Sequence, residues 1–320
     1  MDTIAAVAEA RSLDELYPRL NQLNIQAGWS KPTPSLWASP RENFVPMQWS
    51  WAEGKQALDA AGRLISTELA ERRNLILYNS ADPNRYDTLR TIICAYQAIL
   101  PGERARSHRH TPNALRLVLE GEGAYTVVNG ERLDMEPNDV LLTPNWCWHG
   151  HGSESKTTCY WLDCLDVPLN HLLEPMFYEG HPQEYEPIAS RPKRSPFIFR
   201  WADVDGQLDQ AKLDPDGFRG RRVELGSPAL PTLALSMERH AVGTVTRPLR
   251  TTMNQVFCVV QGAGETKIGD QTFRWSRGDV VALPAWRGYS HRITKDATLF
   301  MMTDQPVMKA FGWLRSEALI

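Results

Sequence analysis

Along the first two dozen residues, apolar side chains recur at helical spacing. Ala5, Ala6, Ala8 and Ala10 precede Leu13, Leu16, Tyr17, Leu20 and Leu23 at intervals of three and four, which predicts a helix over residues 2–25. Asp14 and Glu15 sit where a first helical turn favours acids. A stretch rich in Trp and Pro follows, from Trp29 to Trp51, and reads as an extended segment packed over another surface or at a subunit contact. A second helix is predicted over 53–63. From about residue 73 the pattern shortens to runs of β character, such as Leu75 to Tyr78 and Ile92 to Tyr96. Turn clusters such as Ser80-Ala81-Asp82-Pro83-Asn84 separate them, and strand logic continues to the end of the chain.

Composition sharpens this into a fold class. Twenty-two prolines and 11 tryptophans in 320 residues suit a turn-rich β architecture better than a helical bundle. The length favours two domains or one duplicated unit. Lys+Arg 35 against Asp+Glu 38 excludes a nucleic-acid binder that works through bulk positive charge. No apolar run is long enough to span a bilayer, and the N-terminus lacks the basic flank and apolar core of a signal peptide, so a cytoplasmic protein without membrane contact is expected. Five cysteines, an odd number without a CxxC pair, fit reduced and buried thiols.

The chain also repeats itself. Gly102 and Gly121 align on Gly243 and Gly262 at one constant offset of 141 residues, which brings Leu119-Glu120-Gly121-Glu122-Gly123 onto Val260-Gln261-Gly262-Ala263-Gly264. Asn138 to Trp146 then aligns on Gly278 to Trp286 at an offset of 140. The predicted organisation is an N-terminal helical and extended segment over 1–85, a first β unit over 86–182, a polar linker over 183–225 and a second β unit over 226–320.

Within the first copy, His108 and His110 are one residue apart. On a strand both rings face the same way and can share one ion. His149 follows the turn-like Pro144-Asn145-Trp146. Neutral imidazoles suit Fe, Zn, Cu or Ni. The spacing is specific: Gly102, five residues, His108, one residue, His110, three residues, Ala114, six residues, Gly121, then Asn138, five residues, Pro144, one residue, Trp146, two residues, His149. In this spacing, in both copies, the sequence resembles the cupin superfamily. The resemblance implies an all-β bicupin, two double-stranded β-helix (jelly-roll) barrels with an N-terminal helical extension. The position at which many cupins place an acidic fourth ligand is Ala114, which leaves a three-histidine site with room for other ligands. In copy two the histidine positions are Leu249, Thr251 and Tyr289, so that barrel is expected to be metal-free and structural.

The runs His108 to Arg116, Glu120 to Val128, Leu141 to Pro144, Trp148 to Gly152 and Trp161 to Leu169 resemble more narrowly the gentisate 1,2-dioxygenase family of bicupins, whose relatives cleave salicylates and 1-hydroxy-2-naphthoate. That resemblance implies Fe(II) on His108, His110 and His149, a small aromatic acid and O2 as reactants, ring opening between the carboxyl-bearing and hydroxyl-bearing carbons, and a homotetramer or dimer. An ortho-hydroxy acid can chelate the metal through carboxylate and phenolate and leave a position for O2. Its carboxylate needs a counter-charge, and Arg116 shares strand parity with His110 if the strand is unbroken. His151 shares parity with His149 and is expected to reach the pocket as a hydrogen-bond donor or proton-transfer group. Arg72 resembles a further family contact, and Asp163 could face a ring substituent. Where relatives that accept gentisate or salicylate tend to carry Ala, Trp and Gly, this chain has Asn74, Ile93 and Ala95, which points to a salicylate with a nitro, amino or halo group. The rival classes are a non-enzymatic storage or ligand-binding bicupin and a non-oxidative cupin isomerase or hydrolase using Zn or Mn. Oxygen consumption separates them.

Overall fold

The structure, a computed structural model, describes residues 7–226 and 229–319. It divides after Arg41 into two compact units. In the first, helix α1 spans Leu13–Gln22, with the Ser12 side chain accepting a hydrogen bond from the Glu15 backbone N–H at 3.2 Å. The helix expected over 2–25 is thus shorter. Residues 1–6 of that range lie outside the described residues, and Ser12 takes the N-cap position and starts the helix afresh.

The second unit carries the repeat. Its first copy runs β1 (Met47–Trp49), α2 (Trp51–Leu64), α3 (Thr67–Ala70), β2 (Arg73–Ile76), β3 (Ile93–Ile99), β4 (Arg104–His110), β5 (Ala114–Glu120), β6 (Ala124–Val128), β7 (Glu131–Asp134), β8 (Val140–Thr143), β9 (His149–Ser153), β10 (Cys159–Leu165), α4 (Val167–Leu173) and β11 (Tyr178–Gly180). The second runs β12 (Ile198–Phe199), α5 (Trp201–Gln210), β13 (Arg221–Glu224), β14 (Ala234–His240), β15 (Leu249–Thr251), β16 (Gln255–Ile268), β17 (Gln271–Ser276), β18 (Val280–Leu283), β19 (Tyr289–Thr303), α6 (Gln305–Ala310) and β20 (Ser316–Ala318). The first barrel sets a six-stranded sheet, β12-β8-β5-β10-β3-β2, against a five-stranded one, β11-β4-β9-β6-β7. In the second barrel the long strands β16 and β19 run unbroken, and one sheet ordered β1-β18-β16-β19-β14-β13 takes up β15, β17 and β20 as well.

These orders correct the expected linker. The stretch 183–225 contains β12, α5 and β13, and these repeat β1, α2 and β2 of the segment placed before the first barrel. The two leading arms are exchanged. β1 of copy one pairs with β18 of copy two, and β12 of copy two pairs with β8 of copy one. The Trp51 backbone N–H donates to Asp279 Oδ1 and that of Trp201 to Asp139 Oδ1, each at 2.8 Å. Two buried networks are exchanged in the same way. Asp166 accepts from Asn113 in its own barrel and from Thr232 of the other copy, while Asp304 accepts from Asn254 and from Thr91.

The six-stranded sheet of barrel one is buried on both faces, so its strands read as nearly continuous apolar runs. One parity, including Tyr96, Leu115, Leu117 and Leu162, joins Val256, Phe300 and Met302 in a core shared between the barrels. The other parity faces the barrel interior, and there Val118, Leu141 and Trp161 pack together. Gln97, Arg116 and Asp163 have this interior parity, and they are the charged and amide side chains of otherwise apolar strand interiors.

Candidate metal centre and substrate pocket

Strand period places the three histidines. His108 and His110 stand two apart on β4, and His149 on β9 is the register partner of His108. One ligand atom from each lies within 4.8 Å of the others, on the inner face of the five-stranded sheet. The rings are oriented by their far nitrogens. His110 Nδ1 is 2.8 Å from the Pro112 carbonyl and His149 Nδ1 is 3.0 Å from the Cys147 carbonyl, so both must carry the proton on Nδ1 and leave Nε2 as a lone-pair donor. His149 Nε2 is buried without a hydrogen-bond partner. Burial holds the rings neutral, helped by nearby arginines and, at His110 and His149, by the neighbouring imidazoles, and opposed at His108 by Glu71: His108 and His110 are lowered to about 4 and His149 well below the usual imidazole value. Three neutral, convergent imidazoles with an orphaned buried nitrogen among them fit a transition-metal ion.

The opposite wall comes from the six-stranded sheet. The strand joining His110 to Arg116 is broken: β4 ends at His110, residues 111–113 turn, and β5 begins at Ala114. Arg116 therefore arrives on the other sheet, facing the histidines across the barrel, and shared strand parity was the wrong reason for placing it there. Cross-strand register builds one rung of Ile76, Ala95, Asp163 and Arg116. Ile93 and Leu165 form the rung on one side of it, and Asn74 on β2, opposite Gln97, lies on the rung on the other side. These residues, with Arg72, Tyr86, Tyr178 and the three histidines, enclose a cavity of about 190 Å³. All the expected pocket residues apart from His151 line it.

Arg116 and Asp163 form a buried ion pair, Nε to Oδ1 at 3.2 Å, with side chains 3% and 10% exposed. Arg116 Nη1 also donates to Thr143 Oγ1 at 3.2 Å. Burial raises the Asp163 carboxyl, and the attraction of Arg116 and Arg72 opposes the rise. Asp163 is therefore the internal counter-ion of Arg116. Arg72 donates to the Arg106 carbonyl at 3.0 Å and to Glu71 at 2.8 Å.

His151 is one strand repeat beyond His149 and does not line the cavity. Its Nδ1 meets Thr126 Oγ1 at 3.0 Å and its ring packs 5.5 Å from Trp161. The second barrel repeats the pair as His291 and Thr266 at 2.8 Å, although the histidine positions there are Leu249, Thr251 and Tyr289. Shared parity put His151 on the same face as His149, buried behind the cavity lining with its Nε2 lacking a hydrogen-bond partner.

Sequence reasoning missed Tyr86, Ile76, Leu165, Tyr178 and Glu71. Tyr178 lies on β11, which pairs with β4 so that Tyr178 opposes His110. Its ring is 5.0 Å from that of His108. Tyr86 is placed by a loop in which Asp82 accepts the backbone N–H groups of Asn84, Tyr86 and Asp87. The Asp-Pro-Asn turn signal marked this loop but not its direction.

Residues 95–165 match the Cupin domain model. The chain is 31% identical to a gentisate 1,2-dioxygenase of Streptomyces sp, over 99% of this chain and 98% of that protein. It is 33% identical to a 5-aminosalicylate 1,2-dioxygenase of Comamonas sp, over 96% and 90% respectively. Among solved structures, the salicylate 1,2-dioxygenase of Pseudoaminobacter salicylatoxidans with gentisate superposes with a TM-score of 0.88 at 27% identity, covering 97% of this chain and 94% of that one.

Proposed function

Because the chain belongs to the bicupin family of gentisate, salicylate and hydroxynaphthoate 1,2-dioxygenases, a family of ring-cleaving oxidoreductases, we propose that it uses Fe(II) and O2 to open a single-ring ortho-hydroxybenzoate bearing a polar substituent, gentisate or a nitro-, amino- or halosalicylate. The observation that carries this reading is three convergent imidazoles facing a buried arginine across a cavity of about 190 Å³. The reaction consumes one O2 for each ring. The bond between the carboxyl-bearing and hydroxyl-bearing carbons breaks, and both oxygen atoms end in the ring-opened oxo-diacid.

His108, His110 and His149 would hold the iron, with Ala114 contributing no fourth donor. Bound there, Fe(II) supplies a Lewis acid and the redox chemistry that couples the aromatic acid to O2. Arg116 provides a fixed positive charge for the substrate carboxylate, and its own partner Asp163 keeps the guanidinium from reorienting. Arg72 adds a second cation at the same cavity, braced by the Arg106 carbonyl and Glu71. Ile76, Ile93 and Leu165 form an apolar wall that excludes water from the ring. Asn74 and Tyr86 are two of the uncharged polar side chains toward which a ring substituent can turn. The small volume and the apolar wall favour one ring over the two of 1-hydroxy-2-naphthoate.

The test is anaerobic reconstitution with Fe(II), followed by oxygen-electrode and absorbance assays on gentisate, salicylate, 5-substituted salicylates and 1-hydroxy-2-naphthoate. We expect uptake in step with loss of a single-ring acid, and none in His108→Ala. Ring conversion without uptake would instead identify a non-oxidative cupin enzyme, and preference for the naphthoate would overturn the single-ring assignment.

A further inference from the structure

Beside the metal pocket lies an open cleft of about 490 Å³ that shares Tyr178 with it and is lined on that side by Glu71. The backbone N–H of Arg72 returns to the Ala70 carbonyl at 2.5 Å, which closes a three-residue turn around Glu71, whose φ is 56° and ψ −53°. Such a turn is rare and costly for a residue with a Cβ, and it persists only where surrounding contacts hold it. Here it directs the Glu71 and Arg72 side chains toward His108. Glu71 Oε1 is 2.8 Å from Arg72 Nη1, 3.4 Å from His108 Nδ1 and 3.4 Å from the Tyr178 hydroxyl.

The three imidazoles are not held alike. His110 and His149 turn Nδ1 to backbone carbonyls two residues away, partners that no side-chain substitution removes. At His108 two side chains face Nδ1, each at 3.4 Å: the Glu71 carboxylate, carried on a separate segment and charged, and the Tyr178 hydroxyl, which also donates to that carboxylate. Resting on the reading that the three histidines hold a metal, we propose that Glu71 is a positioning residue for it. Its carboxylate accepts the Nδ1–H of His108, turns Nε2 to the metal and places a negative charge behind the ring that strengthens it as a ligand. The Tyr178 hydroxyl and Arg72 hold the carboxylate in place. A salt bridge to Arg72 alone would not need the turn at Glu71, since an adjacent pair can meet in ordinary backbone.

The experiment is a Co(II) titration of the metal-free full-length protein, followed by visible absorption with a competing chelator and no substrate. The parent is compared with Glu71→Ala, Glu71→Gln, Tyr178→Phe and His108→Ala. Loss of an outer-shell partner typically weakens metal binding about 10- to 100-fold, so Glu71→Ala should raise the Co(II) dissociation constant by that factor and shift the visible bands. Glu71→Gln, which keeps an acceptor oxygen but not the charge, should fall between Glu71→Ala and the parent. Tyr178→Phe should change the constant less than Glu71→Ala does, and His108→Ala should change it most. A folded Glu71→Ala protein with unchanged bands and affinity within about twofold of the parent overturns the proposal, well outside the range expected for an outer-shell partner. If Glu71→Ala does not fold, the same result in Glu71→Gln overturns it. A parent that binds no Co(II) removes the metal reading itself, and with it this proposal.

Discussion

At the scale of single residues, the chemistry depends on groups kept in states they would not hold in water. Burial lowers His108 and His110 to about 4, against 6.5 for free imidazole, so both are neutral lone-pair donors across the physiological range. A depressed histidine pKa means that the unfolded chain binds more protons between about pH 6.5 and pH 4, and metal-free stability therefore falls as pH falls through that window. Metal binding follows the folded values. Co(II) affinity should stay nearly level from about pH 7.5 to about pH 5.5 and drop below about pH 5, as measured by chelator competition at each pH. A tenfold loss already by about pH 6 would mean imidazoles with ordinary solvation. The histidines were legible because metal ligation demands fixed spacing on strands, and spacing is visible in one dimension. Glu71 was not legible: nothing in Glu71-Arg72-Arg73 announces a positive φ on a non-glycine residue, and that torsion is what brings the carboxylate to His108.

At the scale of elements, the doubly buried sheet explains how polar residues reveal the pocket. When both faces of a strand are covered, alternation disappears and apolar residues fill both parities. A charge at interior parity, such as Arg116 on β5 or Asp163 on β10, then requires a partner or a ligand. Arg116 was anticipated from a continuous strand, yet the turn at 111–113 carries the chain to the opposite sheet, where the same residue faces the three histidines from across the barrel. The arms are a second element-scale device. The Trp51 indole donates to Glu120 at 2.8 Å, packs against Tyr96 and Tyr160, and covers Gly278, where φ is 85° and an added Cβ would lie 2.4 Å from the indole. Gly278→Ala should therefore destabilise the protein by about 3 kcal/mol, from left-handed backbone and overpacking together. Denaturant unfolding checks this, and an unchanged midpoint would show that the arm is loosely docked.

At the scale of the whole molecule, the two barrels are interlocked rather than strung together. The duplication was legible in its most regular part, the paired glycine and Asp-Val-Pro-Trp blocks, because those turns and strands recur at nearly constant offset. The exchange of β1 and β12 was not, since short arms of two and three paired residues carry little shared pattern and their partners lie in the other copy. Barrel two lacks the histidine triad, yet it supplies β12 to the edge of β8 and Thr232 to Asp166, both beside the strands that carry the pocket. The three histidines and the cavity lie in barrel one, and barrel two contributes these edge contacts. No helix among the described residues is long and apolar enough to cross a membrane. The central claim, that this assembly opens an aromatic ring by inserting both atoms of O2, is tested most directly by turnover of the Fe(II)-loaded protein under heavy-isotope dioxygen, with mass spectrometry of the product. The account predicts a ring-opened diacid carrying both heavy oxygen atoms. A product with one heavy oxygen and an intact ring, or with none, would contradict it.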